Sequence, residues 1–276
     1  LFEGVSMTTG PTGVMSRAFW SQDGGASWAA MQPLMDRLYQ GVTDAVIEAA
    51  DPGAGDAVLD VGCGGGSATL AMARRVATGG RCVGVDVSPD LVAAAQAALG
   101  DEPASFQLGD AQVHPFEAAA FDVVMSRFGV MFFDDPVAAF ANLRRAVKAD
   151  GKLAFACWRS PADNPLVQIP MRAVAPLLPQ GLPAPPPPGS PGRFAFADPD
   201  RVRGILEASG WRDIVIAPLD SPSPLSVDEL VAVSLRTLPD DLRDQARAAA
   251  AEKLRPYVVD GVVPMVSACW LVTARA

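Results

Sequence analysis

The sequence predicts an α/β fold: a doubly wound, mostly parallel sheet with helices on both faces. From residue 57 onward, short apolar runs alternate with segments of helical periodicity. Runs such as residues 121–125 are apolar at nearly every position, as in strands that are buried on both faces. A glycine-rich turn at residues 62–66 follows the first run, as where a strand turns tightly into a helix. This alternation implies right-handed crossovers between parallel strands.

The individual elements follow from local signals. Residues 26–50 carry apolar side chains at helical spacing and end at the turn of residues 51–55, which contains a proline and two glycines. Asp198 and Pro199 indicate a helix start, because proline is favoured in the first helical turn. Strands are predicted near 57–61, 81–86, 104–108, 121–126, 151–158, 211–217 and 267–274. Helices are predicted near 26–50, 67–77, 89–99, 136–148, 165–178, 199–209 and 226–256.

A proline-rich segment, residues 179–192, interrupts the second half of the chain. Its four consecutive prolines favour polyproline II geometry, so it is expected to be a semi-stiff exposed loop. A lid beside a ligand pocket, a plain connector and a ligand for a proline-recognition domain are the open interpretations. The chain is accordingly divided into an N-terminal helical cap (1–50), an α/β core (51–160), and a region of lid and helical insertions with the last two strands of the same sheet (161–276).

Composition excludes several function classes. The 276 residues carry a net charge of −9 and a pI near 4.6, which disfavours nucleic acid as a substrate because phosphate contacts need clustered cations. The four cysteines are scattered and no pair has metal-ligand spacing, so reduced thiols, no metal and a cytoplasmic location are expected. No apolar run reaches the ~18 residues that a membrane span needs, and no signal peptide is recognised. Residues 1–6, which precede the first methionine, are left uninterpreted.

Two acids frame the glycine-rich turn. Asp60 closes the first predicted strand, Gly62, Gly64 and Gly66 follow at alternate positions, and Asp86 closes the second strand. In α/β folds, glycines at such a turn let the backbone approach an adenosine-containing cofactor, and the second acid accepts hydrogen bonds from the ribose hydroxyls. The pattern therefore predicts a cofactor that contains adenosine.

The choice of cofactor depends on charge. A dinucleotide fingerprint requires Gly or Ala three residues after its second glycine, where this chain has Ser67. Asp60 at the strand end would also repel a pyrophosphate. S-adenosylmethionine (SAM) has no phosphate, carries a sulfonium and an ammonium, and presents a ribose diol. The residues therefore favour SAM, with a nicotinamide dinucleotide as the alternative.

Residues 58–66, Val-Leu-Asp-Val-Gly-Cys-Gly-Gly-Gly, resemble the first motif of class I SAM-dependent methyltransferases, within the type 11 group that includes ubiquinone and menaquinone C-methyltransferases. Three further motifs of that family follow in order at residues 84–92, 106–111 and 121–128, and residues 151–158 match the next strand. The resemblance implies a Rossmann-like sheet of seven strands whose last strand is antiparallel and lies between the fifth and sixth.

The resemblance also implies a set of cofactor-binding residues. Asp86 is expected at the ribose and Asp110 at the adenine amino group. An aromatic residue of the N-terminal segment is expected over the methionine part, with Trp28 as the best match and Tyr39 and Trp20 as weaker ones. The expected cofactor residues are Asp60, Gly62, Cys63, Gly64, Asp86, Val87, Asp110, Ala111, Ser126 and Trp28.

The substrate side is expected at the end of the fourth strand, where open α/β sheets bind ligands. Arg127 is expected either to bind an acidic substrate or to pair with Asp134 or Asp135. His114, the only histidine, is a weak candidate for a general base, against a plain loop residue that Pro115 holds extended. The expected substrate-binding residues are Arg127, Phe128, Met131 and Trp158.

The expected function is SAM-dependent transfer of a methyl group, by in-line displacement, to a small and partly apolar molecule. The expected product of the cofactor is S-adenosylhomocysteine. The alternatives are a SAM-binding protein without methyltransferase activity and an NAD(P)-dependent oxidoreductase. The oligomeric state is open, with a homodimer as one alternative.

Overall fold

A seven-stranded sheet with the order β3-β2-β1-β4-β5-β7-β6 is the centre of the structure, a computed structural model that describes residues 17–178, 181–182, 184–235, 238 and 240–276. β7 runs antiparallel to β5 and β6, and the other neighbours are parallel. The predicted fold class is confirmed, including the last strand between the fifth and sixth. The strands are β1 (Ala57–Val61), β2 (Arg81–Asp86), β3 (Ala104–Leu108), β4 (Phe121–Arg127), β5 (Val147–Trp158), β6 (Arg212–Pro222) and β7 (Val266–Arg275).

Helices flank this sheet. Within the described residues, α5 packs on β1 and β2, α6 on β2 and β3, α7 on β5, and α9 on β6, while α8, α10 and α11 pack on one another. None of the described helices is long and apolar enough to cross a membrane. The helices are α1 (Arg17–Trp20), α2 (Asp23–Ala29), α3 (Gln32–Leu38), α4 (Gln40–Ala50), α5 (Ser67–Val76), α6 (Pro89–Ala98), α7 (Pro136–Ala146), α8 (Pro165–Val174), α9 (Pro199–Ala208), α10 (Val227–Leu235) and α11 (Asp240–Leu254).

The strand order determines where a ligand crevice forms. β1 lies between β2 and β4, so the chain leaves β1 toward one side of the sheet and later returns on the other. Two crossovers that diverge in this way leave an opening beyond the carboxyl ends of the strands. β1 is buried along its whole length, which fixes its carboxyl end, Asp60 and Val61, firmly at that opening.

Several predicted boundaries were wrong. Residues 26–50 form three short helices, α2 to α4, rather than one, and Pro33 lies in the first turn of α3, where its missing N–H costs no hydrogen bond. The predicted helix over 226–256 is two helices, α10 and α11. α8 ends at Val174 instead of residue 178, and a 3-10 turn that contains Pro176 follows.

β5 also begins earlier than predicted, at Val147 rather than residue 151. Its first residues pair with β4 through a register shift between Phe121 and Val123. Asp150 lies in that irregular stretch with a φ of 62°. A bulge of this kind interrupts alternation, which is why the sequence pattern placed the strand start after it.

The end of the proline-rich segment lies beside the carboxyl end of β4. The backbone N–H of Gly192 donates to the carbonyl of Met131 at 3.1 Å, and the carbonyl of Gly189 accepts from Arg201. Pro179, Gln180 and Pro183, like residues 1–6, lie outside the described residues. The role of this segment as a lid stays a prediction.

Candidate active site

One cavity opens at the carboxyl ends of β1, β2 and β4, and its open space, together with the solvent at its mouth, is about 1130 Å³. It has a polar end, formed by the glycine-rich turn and the ends of β1 to β3, and an aromatic end. The polar end is lined by Asp60, Val61, Gly62, Cys63, Gly64, Ala68, Val85, Asp86, Val87, Leu91, Gly109, Asp110, Ala111 and Gln112. The aromatic end is lined by Trp20, Trp28, Tyr39, Arg127, Phe128, Gly129, Met131, Phe132, Phe133, Trp158 and Arg193.

Asp60 is a buried acid in the lining of the cavity. Its Oδ2 atom accepts a 2.6 Å hydrogen bond from Thr69 Oγ1, whereas its buried Oδ1 atom has no hydrogen-bond partner among the described residues. Burial raises the pKa of Asp60 to about 6, against the lowering effects of the Thr69 hydrogen bond and of Arg127. A buried carboxylate with a free oxygen is a site for a cationic or hydrogen-bond-donating group of a ligand.

Asp86 lies across the turn from Asp60. One carboxylate oxygen accepts from the backbone N–H of Gly64 and the other from that of Ser88, both at 2.9 Å. These bonds fix the carboxylate, while burial, the dominant effect, raises its pKa. A carboxylate has room for about four hydrogen bonds, so two more donors, such as ribose hydroxyls, can still be accepted.

The glycines of the turn are required for different reasons. Gly62 has a φ of 67°, and a Cβ atom there would lie 2.6 Å from Gly129 Cα, so the packing of the chain excludes a side chain. Gly64 has a φ of 55°, and apart from its two chain neighbours no atom of the described residues lies within 4 Å of the corresponding Cβ position. Since Gly64 lines the cavity, the space beside it is open to a ligand. The sequence pattern did not separate these two reasons.

The adenine side of the expected site contains a residue that the sequence analysis missed. Asp110 accepts hydrogen bonds from the backbone and side-chain nitrogens of Gln112, at 3.0 and 3.2 Å. Gln112 Oε1 in turn accepts from the backbone N–H of Asp134 at 2.7 Å. Gln112 therefore connects the end of β3 to the loop after β4. Its position two residues after Asp110, as in an Asx turn, was the available signal.

The aromatic end is a cluster of rings in mutual contact. The Phe128 and Trp158 rings are stacked with centroids 5.1 Å apart, and Tyr39 meets both rings edge to face. Trp28 stacks on Tyr39 at 6.4 Å, and Trp20 meets Trp28 at 5.7 Å. Such a surface binds flat apolar ligands. All three aromatic candidates of the N-terminal segment thus line the cavity.

Of the two alternatives for Arg127, the pairing with Asp134 or Asp135 is not the one the structure contains, and the binding of an acidic substrate stays a prediction. Arg127 donates to Thr43 Oγ1 at 2.9 Å, and its Nη2 atom is 3.9 Å from Asp36 Oδ1. Asp135 instead caps α7 by accepting from Ala138. Burial is the largest effect on Arg127 and lowers the pKa of its guanidinium. The true partners come from α3 and α4, which no local sequence signal connects to β4.

Two predicted site residues do not line the cavity. Ser126 is fully buried, donates to the Val61 carbonyl at 2.7 Å and accepts from the Gly129 N–H at 3.1 Å, so it holds the turn after β4 rather than facing a ligand. His114 packs on Phe116, 4.5 Å between ring centroids, outside the lining of the cavity. Its role as a general base stays a prediction, since a base must reach the proton that it accepts and His114 lies outside the lining.

The other predicted residues line the cavity, and three further contributors were missed: Thr69, Gln112 and Arg193. Thr69 lies in the first turns of α5 and is fully buried against Asp60. Burial raises the pKa of the Cys63 thiol well above its usual value, so this thiol stays neutral. Among the described residues, no cluster of His, Cys, Asp or Glu could hold a metal ion.

This arrangement fits SAM better than a dinucleotide. Two buried carboxylates, Asp60 and Asp86, lie at the polar end, and one of them has an unpaired oxygen. They suit the cationic groups and the ribose diol of SAM, and they would repel a pyrophosphate. The open space beside Gly64 is the close approach that such a ligand needs.

Comparisons with known proteins agree with this geometry. Residues 59–155 match the family described as a methyltransferase domain. Nocamycin O-methyltransferase of Saccharothrix syringae is 30% identical over 233 residues, which are 79% of this chain and 72% of that protein. Aklanonic acid methyltransferase DauC of a Streptomyces species is 31% identical over 113 residues, 40% of this chain and 51% of that protein.

The fold is also that of solved structures. The YcgJ protein from Bacillus subtilis superposes with a TM-score of 0.57 at 18% identity, covering 86% of this chain and 98% of that one. The expectation of an NAD(P)-dependent oxidoreductase finds no support in these matches. Family match, relatives and fold lead to one conclusion: the chain belongs to the SAM-dependent methyltransferases, and its cofactor is SAM.

Proposed function

We propose that the enzyme transfers the methyl group of SAM to a small, partly apolar molecule bound at the aromatic end of the cavity. The observation that carries this proposal is the continuity of the cavity. Its polar end holds two buried acids, and the same space extends to a cluster of stacked rings. A cofactor at one end and a flat apolar acceptor at the other would therefore share one enclosure.

The polar end supplies a group for each part of SAM. Asp86 would accept the ribose hydroxyls, and the unpaired oxygen of Asp60 would accept from the ammonium group. Val87 and Ala111 would contact the adenine, near the Asp110–Gln112 turn. When bound, SAM supplies a methyl group on a sulfonium, a reactive electrophile with a good leaving group.

The protein then has to orient the acceptor and exclude water. Because the leaving group is already good, most of the rate enhancement comes from alignment and desolvation. Trp28, Tyr39, Phe128 and Trp158 form a largely apolar wall that holds a flat acceptor and keeps water away from the methyl carbon. The relatives named for nocamycin and aklanonic acid support an acceptor of this small-molecule kind.

Calorimetric titration with SAM, S-adenosylhomocysteine and NAD tests the cofactor assignment. We expect binding of the first two and none of NAD. Asp86→Ala should weaken SAM binding, whereas Asp101→Asn, which changes an exposed aspartate outside the cavity, should not. Transfer is then followed with tritium-labelled SAM and a panel of aromatic acids, phenols and amines. Equal affinity of the Asp86 variant and the wild type would refute the site assignment.

We also propose a cytoplasmic location and a small-molecule partner rather than nucleic acid. The four cysteines are free and buried, as in proteins of reducing compartments, and the net charge is −9. Whether the enzyme is a homodimer is tested by light scattering coupled to gel filtration. Cell fractionation tests the location.

A further inference from the structure

The aromatic end of the cavity carries a cation that the proposed function has not used. Arg193 follows Gly192, whose backbone is bonded to Met131, and it lines the cavity. Its guanidinium carbon is 5.3 Å from the centre of the Trp158 ring. In the part of the chain that the structure describes, no carboxylate forms an ion pair with Arg193. The guanidinium of Arg193 therefore lines the aromatic end of the cavity, the compartment proposed for the acceptor, and has no counter-ion among the described residues.

Arg127, the other cation of this compartment, is in a different situation. It is hydrogen-bonded to Thr43, lies 3.9 Å from Asp36 and also interacts electrostatically with Asp60. The chain's own acids thus balance its charge. Arg193 has no such balance, and its planar fork of donors matches the two oxygens of a carboxylate.

Among the described residues that line the aromatic end of the cavity there is no histidine, aspartate or glutamate that could act as a general base. Its ionisable groups among the described residues are Arg127, Arg193 and Tyr39. Arginine stays protonated and therefore cannot accept a proton. His114 lies outside the cavity lining, and the lining aspartates belong to the polar end. An acceptor that arrives already ionised needs no base.

We propose, on the basis of the proposed function, that the methyl acceptor is a carboxylate attached to an apolar ring system and that Arg193 binds its carboxylate group. An acceptor oxygen attacks the methyl carbon, the new O–C bond forms as the C–S bond breaks, and the electron pair of the broken bond remains on sulfur. The products are a methyl ester and S-adenosylhomocysteine, and no proton is transferred.

The same charges act against other acceptors. A protonated amine would meet the guanidinium of Arg193, which no acid of the described chain balances, and would lose affinity through like-charge repulsion. A neutral alcohol would need a general base, and no histidine or carboxylate among the described residues lines the aromatic end. The arrangement therefore favours esterification over N-methylation or alkyl O-methylation.

The binding test uses matched probes on protein saturated with S-adenosylhomocysteine. 2-Naphthoate and anthraquinone-2-carboxylate are titrated calorimetrically against their neutral amides. We expect at least one acid to bind about tenfold or more tightly than its amide, the effect of a hydrogen bond to a charged group. Arg193→Gln should abolish this preference and Arg193→Lys should retain part of it. Arg75→Gln, which changes an exposed arginine of α5 outside the cavity lining, is the matched control and should change nothing.

Transfer provides a second readout. With tritium-labelled SAM, the label incorporated into acid acceptors should be released as methanol by mild alkali, as expected of an ester. The inference is overturned if acid and amide bind equally, if neither acid binds, or if Arg193→Gln weakens both probes alike. In each case retained binding of S-adenosylhomocysteine would leave the proposed function standing. Loss of that binding in the wild type would refute the proposed function itself.

Discussion

Burial of the Asp60 carboxylate should lower the stability of the free protein and should strengthen the binding of SAM. Replacing Asp60 by asparagine tests both effects. The side chain is only 1% exposed, one of its oxygens is unpaired, and its pKa is raised to about 6 by burial. In the protein without ligand, the ionised form is therefore costly. In the complex, the same charge would contact the ammonium group of SAM. Asp60→Asn removes the charge while keeping an oxygen that can accept from Thr69.

The size of the effect follows from the pKa. The ordinary value is 3.8, so between pH 3.8 and about 6 the folded protein holds a proton that the unfolded chain has released. The free energy of unfolding therefore falls as pH rises through this window, by about 3 kcal/mol in total at about 1.4 kcal/mol per pKa unit. About 2 kcal/mol of that change falls between pH 4.5 and 7.5. Asp60→Asn should not show it.

The assay is urea unfolding of wild type and Asp60→Asn without SAM, at several pH values from 4.5 to 7.5, with Asp101→Asn as the exposed control. The difference between wild type and Asp60→Asn should change by about 2 kcal/mol in favour of the variant toward neutral pH. Curves that stay parallel would refute the argument that Asp60 is buried at a cost. SAM binding, followed by calorimetry, should weaken in the wild type below pH 6 and be reduced at every pH in the variant.

Three further predictions concern the turn and its surroundings. Asp86→Ala should weaken SAM binding about 10- to 100-fold in calorimetry, because hydrogen bonds to a charged group contribute about 1.5–3 kcal/mol; unchanged affinity would remove Asp86 from the ribose site. Gly64→Val should abolish SAM binding and leave the circular dichroism spectrum unchanged, because its side chain would fill the open space beside the turn. Gly62→Ala should lower the melting temperature, because its Cβ would lie 2.6 Å from Gly129 Cα. Unfolding caused by Gly64→Val, or lost SAM binding without lost stability in Gly62→Ala, would contradict these roles. Ser126→Ala should lower the free energy of unfolding by about 1–3 kcal/mol, because it leaves buried backbone groups unpaired. SAM affinity should stay unchanged. A loss of SAM binding without a loss of stability would show that Ser126 belongs to the cofactor site.

The sequence by itself determined the sheet, its crossovers and the polar end of the site. Strand and helix periodicity are local properties, and a glycine turn flanked by strand-ending acids constrains the backbone over a short stretch. For that reason Asp60, Gly64 and Asp86 were found from spacing alone. The short helices of the N-terminal segment were not predicted. The helical spacing of its apolar residues is the same whether the helix is continuous or is interrupted at Met31 and Tyr39.

Only the tertiary structure decided which distant groups meet. Arg127 pairs with Asp36 across elements that lie far apart in the chain, and Ser126 turns toward Val61 instead of the cavity. Arg193 enters the aromatic compartment because Gly192 is fixed to the loop after β4. These contacts depend on how helices and loops pack over the sheet, and packing joins residues without regard to their separation in sequence. The residues of the polar end could therefore be predicted from local spacing, whereas the position of Arg193 over Trp158 is visible only in the folded chain.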